Sequence, residues 1–128
     1  MQAIGVASKD AFPDNRFSAL SASGGNVASN GRLNGAGVWS PSADNNVNDY
    51  LQIDLLYEFV ICAVATQGNP TADHWTTKYK LQLALIENNW IPYQEDNIIK
   101  VSMIRKENNI VFHCTLQNYI YRYVNCSH

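Results

Sequence analysis

Few side chains in this protein are suited to chemistry, and the best of them sit beside glycine. Trp39 follows the stretch Asn34-Gly35-Ala36-Gly37, and Asp73-His74-Trp75 follows Gly68-Asn69-Pro70. An indole next to amides and carboxylates can cover the apolar face of a sugar ring while its neighbours bond the hydroxyls. Trp39 and Trp75 can equally anchor loops to a core, which is the commoner use of the residue. Arg32 offers a cation to a ligand, or a partner to a buried carboxylate such as Asp54, which must be paired if buried. His74 could bond a ligand or titrate near neutral pH, or simply lie on a surface loop. Trp90 reads as a strand-face packer, and His113, in an apolar segment, as a satisfied structural residue.

Catalysis finds little support. No G-x-S-x-G, H-E-x-x-H, P-loop or dinucleotide fingerprint is present. The one nucleophile–base pair, His113 and Cys114, is adjacent in a strand, where neighbouring side chains point to opposite faces and cannot bond each other. We therefore expect a non-enzyme. The three cysteines form no C-x-x-C, so a zinc or redox site is not indicated. Cys62, within Val60-Ile61-Cys62-Ala63-Val64, reads as a small buried hydrophobe. A Cys114–Cys126 bridge is conceivable, and Cys126, near the end of the chain, is expected to be mobile.

A chain of 128 residues holds one domain, 1–128. Its net charge of −2, with no basic stripe, argues against nucleic acid, whose binding rests on neutralised phosphates. The sequence contains no run of 18 apolar residues, the length that would span a membrane. Met1 to Asp10 shows no basic patch followed by an apolar core, so no signal peptide is visible.

The elements that must hold these residues are strands. Fifteen asparagines mark many turns, and many turns in a short chain imply short elements of an all-β sandwich or barrel. Residues 1–50 read as long ordered loops around one short strand, Arg16 to Ala22. Leu51, Ile53 and Leu55 alternate with Gln52, Asp54 and Leu56, the period of a half-buried strand. A turn is expected at Tyr57-Glu58, then a strand covered on both faces from Phe59 to Thr66. Trp75 to Ile86 alternates again. Trp90 to Tyr93 contains Pro92, which lacks a ladder donor and so marks an edge or a bulge. Val101 to Ile104, Ile110 to Leu116 and Tyr119 to Val124 complete the set.

Ordered motifs in these segments make the chain similar to the discoidin domain, also called the coagulation factor V/VIII type C domain. Phe12-Pro13-Asp14 resembles its Ile-Pro-Asp step. Arg32-Leu33-Asn34-Gly35 with Val38-Trp39-Ser40-Pro41 resembles its Arg-Leu and Ala-Trp-Ser-Pro block. Tyr50-Leu51-Gln52-Ile53-Asp54-Leu55 resembles Trp-Leu-Gln-Val-Asp-Leu, and Thr66-Gln67-Gly68 its Thr-Gln-Gly signature. Asp73-His74-Trp75-Thr76-Thr77-Lys78-Tyr79-Lys80 is nearest to the discoidin lectins, and Tyr121-Arg122-Tyr123-Val124 resembles the late Ala-Arg-Tyr-Val strand.

The resemblance implies an antiparallel β-sandwich, a distorted jelly roll of the galactose-binding-like type, with binding loops at one end. The family's bridged terminal cysteines and closing strand have no counterpart, so we expect a C-terminally incomplete domain of reduced stability. The candidate loops are Ser23–Asn30, Ser42–Asp49 and Gly68–His74. Their ligand-facing candidates are Asn26, Asn30, Arg32, Asn34, Trp39, Asn69, Asp73, His74 and Trp75, and Asp54, Gln67 and Gly68 are expected to be structural. No cofactor is required, although Asp44, Asn46 and Asp49 could offer oxygens to calcium. The resemblance implies an extracellular, lectin-like adhesion module for a cell-surface glycan. The alternatives are a protein- or matrix-interaction unit and an anionic phospholipid binder. Lipid is disfavoured because the Gly24–Ala28 loop has no Trp, Phe or Leu and no lysine, and Asn69, standing where the family often has arginine, argues against any ligand that needs that cation.

Overall fold

The structure is a computed structural model and describes residues 4–43, 46–61, 63–95, 98–99, 101–103, 110–113 and 120–127. Strands dominate it: β1 (Phe17–Ala19), β2 (Tyr50–Val60), β3 (Ala63–Thr66), β4 (Lys78–Ala84), β5 (Ile91–Pro92), β6 (Gln94–Glu95), β7 (Ile98–Ile99), β8 (Val101–Met103), β9 (Ile110–His113) and β10 (Ile120–Ser127). The described helix is limited to 3-10 turns at Asp14–Arg16 and Ala28–Gly31.

One antiparallel sheet runs β1-β2-β10-β4-β5, with β8 also on β4; β3 pairs β9 in a second sheet, and β6 pairs β7. β10 occupies one edge of β4, while β5 and β8 share the other edge end to end, at Gln82–Leu83 and Lys78–Lys80. The register explains the core. Phe17, Ile53, Val124 and Leu83 stand in one cross-strand row, and Ala19, Leu51, Cys126 and Leu81 in the next but one. Period-two alternation turns both rows inward. There Phe17, Leu81, Leu83 and Val124 are buried with Leu55, Ile61 and Phe12, and Val64 of β3 packs against them from the second layer. Ser18, Gln52 and Gln82 fall on the alternate positions, on the outer face of the sheet. On that outer side Trp90 packs edge-on against Tyr123, ring centroids 6.4 Å apart.

The architecture is the expected all-β one, with local corrections. Tyr57-Glu58 is no turn: β2 runs through it to Val60, and the chain leaves the strand only at Ile61. What interrupts the alternation is Leu56, held at φ 67°. A bulky residue at positive φ needs external support. Here the Asp54 Oδ1 accepts the Leu56 N–H at 2.9 Å, and the register of β10 slips opposite, between Tyr121 and Tyr123. This bulge explains why Val60 is exposed rather than covered on both faces. β1 is shorter than Arg16 to Ala22, because Arg16 completes the preceding 3-10 turn. Cys126 is not in a mobile tail but inside β10, paired to Leu51 and Leu81, and its thiol is free. The β6–β7 hairpin was not legible in the sequence. Cys62 and Cys114 lie outside the described residues, as does the expected strand beyond His113.

Arg122 sits at the bulge and forks onto Asp54, Nε to Oδ1 at 2.9 Å and Nη2 to Oδ2 at 3.2 Å; Arg16 Nη1 adds a third bond at 3.2 Å. Partial burial alone would raise the Asp54 carboxyl. The Arg122 bonds, the Leu56 amide and the charges of Arg122 and Arg16 outweigh it and hold the group below its ordinary value. Asp54 thus ties β2, β10 and the 3-10 turn that precedes β1 together at one point.

Candidate functional site

The starts of β2 and β4 and the ends of β3 and β10 lie at one end of the sandwich. Two long connections meet over that end, residues 20–49 and residues 67–77. Between them and the sheet lies a cavity of about 730 Å³.

The first connection is braced from within. Asp49 is fully buried; its Oδ1 accepts the Ser21 N–H at 3.1 Å and the Tyr50 N–H at 3.2 Å, and its Oδ2 takes the Ser21 hydroxyl. The Ser21 Oγ in turn accepts the Ser42 N–H at 2.9 Å, and the Ser21 carbonyl accepts Trp39 Nε1–H at 2.9 Å. A single carboxylate therefore fixes the two ends of the loop and the orientation of its indole. Further in, the Ser23 N–H bonds the Ser40 carbonyl at 2.8 Å and the Ser40 N–H bonds the Asn26 carbonyl at 3.2 Å. Gly31 is needed for close approach: a Cβ there would stand 3.0 Å from Leu51 Cδ2 and 3.2 Å from Trp39 Cβ.

The second connection folds on itself. The Asn69 N–H bonds the His74 carbonyl at 2.8 Å, while Asn69 Oδ1 accepts the Thr71 N–H at 2.9 Å and hydroxyl at 3.0 Å, an Asx turn. A Cβ on Gly68 would meet Trp75 Cβ at 3.2 Å and the His74 carbonyl at 3.3 Å, so Trp75 sits directly on the glycine. Gln67 joins the two connections, its Oε1 accepting the Asn34 N–H at 2.5 Å.

Of the candidate residues, Asn26, Arg32, Trp39, Asn69, Asp73, His74 and Trp75 all border the cavity, as do Gln67 and Gly68. Asp73, His74 and Trp75 are exposed, and Trp39 is half-buried. Asn30 and Asn34 brace the rim instead: Asn30 Nδ2 donates to the Gly25 carbonyl at 2.9 Å, and Asn34 contributes its backbone. Arg32 is committed elsewhere. Only 6% exposed, it donates to the Val6 and Phe12 carbonyls at 2.8 and 2.6 Å, pairs with Asp14 at 2.8 Å and covers the Phe17 ring at 4.3 Å. Its cation pins the N-terminal segment to the loop; the Arg32 bond, with Lys9, holds the Asp14 carboxyl below its ordinary value.

Among the oxygen ligands considered for calcium, Asp49 has both oxygens occupied by Ser21 and Tyr50, Asn46 Oδ1 accepts the Asn48 N–H at 3.1 Å, and Asp44 lies outside the described residues. Among the described residues no three His, Cys, Asp or Glu side chains converge as a metal cluster would. Sequence reasoning missed Thr76 and Thr77 at the rim and the floor made by the strands, Leu51, Ile53, Val64 and Val124. The signal for the floor was present: these are inward positions at the ends of alternating strands.

The model of the F5/8 type C domain matches residues 16–126. Similar solved structures include discoidin II of Dictyostelium discoideum, 21% identical with a TM-score of 0.71. That match covers 87% of this chain and 47% of the other, so the chain spans about half the length of discoidin II. The family 32 carbohydrate-binding module of NanJ from Clostridium perfringens, solved in complex with galactose, is 16% identical with a TM-score of 0.64, over 91% of this chain and 84% of that one. A third module, CBM32-3 from a family 31 glycoside hydrolase of Clostridium perfringens, is 13% identical with a TM-score of 0.69, over 99% and 85%.

Proposed function

Because the chain belongs to the F5/8 type C domain family, we propose that it is a carbohydrate-binding module that recognises a neutral sugar without catalysis. The observation that carries this reading is the convergence of Trp39 and Trp75 with Asn26, Asp73 and His74 around one braced cavity. Trp75, 36% exposed, offers an aromatic face to a sugar ring, and the amide, carboxylate and imidazole groups can bond its hydroxyls. The rigid sandwich beneath holds these groups in place before ligand arrives, which lowers the entropy lost on binding. Arg32 does not offer its charge to an acidic ligand, because it is bonded to two carbonyls and to Asp14.

The neighbouring module solved with galactose supports galactose-terminated glycans as the first class to try. We place the activity outside the cell, in adhesion to surface glycans, as the family resemblance implies. Anionic lipid is a weaker reading, since the Gly24–Ala28 tip presents Val27 as its one large apolar side chain. No helix among the described residues is long and apolar enough to cross a membrane.

Isothermal calorimetry with galactose-terminated oligosaccharides tests the reading, alongside a Trp75→Ala variant shown by circular dichroism to be folded. Binding that falls at least tenfold in the variant supports it. Silence toward sugars, with capture by a matrix protein or by phosphatidylserine vesicles, would replace it with one of the alternatives.

A further inference from the structure

The cavity is larger than a single sugar ring, and its lining divides into two chemistries. Its mouth is polar, with Asn26, Asp73 and His74 beside Trp75. Its floor is apolar: Leu51 and Ile53 of β2, Val64 of β3, Val124 and Cys126 of β10. All five stand at inward positions of the sandwich, yet Leu51, Ile53, Val64 and Cys126 remain only half-buried. Water over such a floor gains no hydrogen bonds from it, so apolar atoms are the favoured occupant. Burial in the same surroundings pushes the Cys126 thiol up to about 12. A volume of about 730 Å³ lies within the range of pockets that enclose whole small molecules. One hexose at the mouth leaves the floor uncovered.

Building on the sugar reading, we infer that the ligand is an amphiphilic glycoside, its hydroxylated head between Asp73, His74 and Trp75 and an apolar aglycone laid on Leu51, Ile53, Val64 and Val124. A free sugar satisfies only the mouth. A free hydrocarbon chain would cover the floor and make no use of the polar mouth. A soluble glycoside with an alkyl or aryl aglycone matches both halves at once.

Calorimetry with methyl, butyl and hexyl β-galactosides on the full chain tests this. Affinity should rise about 4-fold for each methylene that reaches the floor, and the heat capacity change of binding should grow more negative along the series. In Val64→Thr, which keeps the side-chain volume and adds a hydroxyl to the floor, the gain per methylene should shrink. Equal affinity for the methyl and hexyl glycosides overturns the inference and leaves the sugar reading standing. An unchanged gain in Val64→Thr overturns the assigned floor. Absence of binding by every galactoside in the series, including the methyl compound, overturns both.

Discussion

Asp49 is the residue on which the geometry of the site most depends, and its removal has a size that can be worked out. Its carboxylate receives the Ser21 N–H, the Tyr50 N–H and the Ser21 hydroxyl, and it is fully buried. Asp49→Ala strips three donors of their acceptor. Each donor left unsatisfied costs about 1–3 kcal/mol. Ser21 and Tyr50 are themselves only half-buried, so water partly replaces the lost acceptor and the low end applies, giving about 3 kcal/mol in total. For a domain of this size that corresponds to a fall of roughly 10 °C in Tm. Asp49→Asn keeps the shape and one acceptor oxygen but turns an N–H toward the Ser21 hydroxyl, so about 1–2 kcal/mol is expected. Because the Ser21 carbonyl also holds Trp39 Nε1 at 2.9 Å, both variants should bind sugar more weakly than their loss of stability explains. Urea unfolding, with calorimetric titration on the protein that remains folded, measures the two effects. An Asp49→Ala variant within about 0.5 kcal/mol of wild type would refute the clamp.

Four further outcomes are expected. Gly68→Ala drives a Cβ to 3.2 Å from Trp75 Cβ and 3.3 Å from the His74 carbonyl; it should weaken sugar binding about tenfold by displacing the indole, at a cost to stability near 1 kcal/mol, read by calorimetry and thermal melting. Leu83→Ala opens the centre of the core, where Leu83 is 1% exposed, and should cost about 2–5 kcal/mol in urea unfolding. Asp54 has a folded pKa below its unfolded one, so its contribution is complete above the ordinary value of 3.8 and is lost as pH falls through the depressed value; in Asp54→Asn the urea midpoint should fall less steeply between pH 5 and pH 2 than in wild type, about a pH range set by ordinary carboxylates. The Cys126 thiol, raised to about 12 by burial, should resist alkylation at about pH 8 in the folded protein and react on unfolding, as peptide mapping by mass spectrometry would show.

The strands of the main sheet were legible because their cause is local. Alternation from Leu51 to Leu55 and from Tyr79 to Leu83 follows directly from one apolar face, and the structure places both segments in β2 and β4. Pro92 signalled an edge, and β5 is the outermost strand on that side. The bulge at Leu56 was hidden because it depends on partners far along the chain, Asp54 bonded by Arg122 and Arg16. A window of ten residues contains no trace of such a tertiary arrangement, and the apolar run after it invited a single strand through Val60 and Thr66. The site divides in the same way. Residue types named the loops and their aromatic groups, and the structure draws most of them around one cavity. What residue types could not reveal is which polar groups are spent. Arg32, Asn30 and Asn69 look alike available in sequence, yet each is bonded to its own chain.

The central claim is that the loop-capped end of the sandwich grips a neutral sugar, and nuclear magnetic resonance can locate the contact. A methyl β-galactoside titrated into isotope-labelled protein should shift the indole N–H signals of Trp39 and Trp75 and the amides from Asn69 to Thr77, leaving Tyr57 and Ile86 at the far end of the strands unmoved. A spectrum unchanged at saturating sugar, or one that moves at Tyr57 and Ile86 instead, would contradict the account.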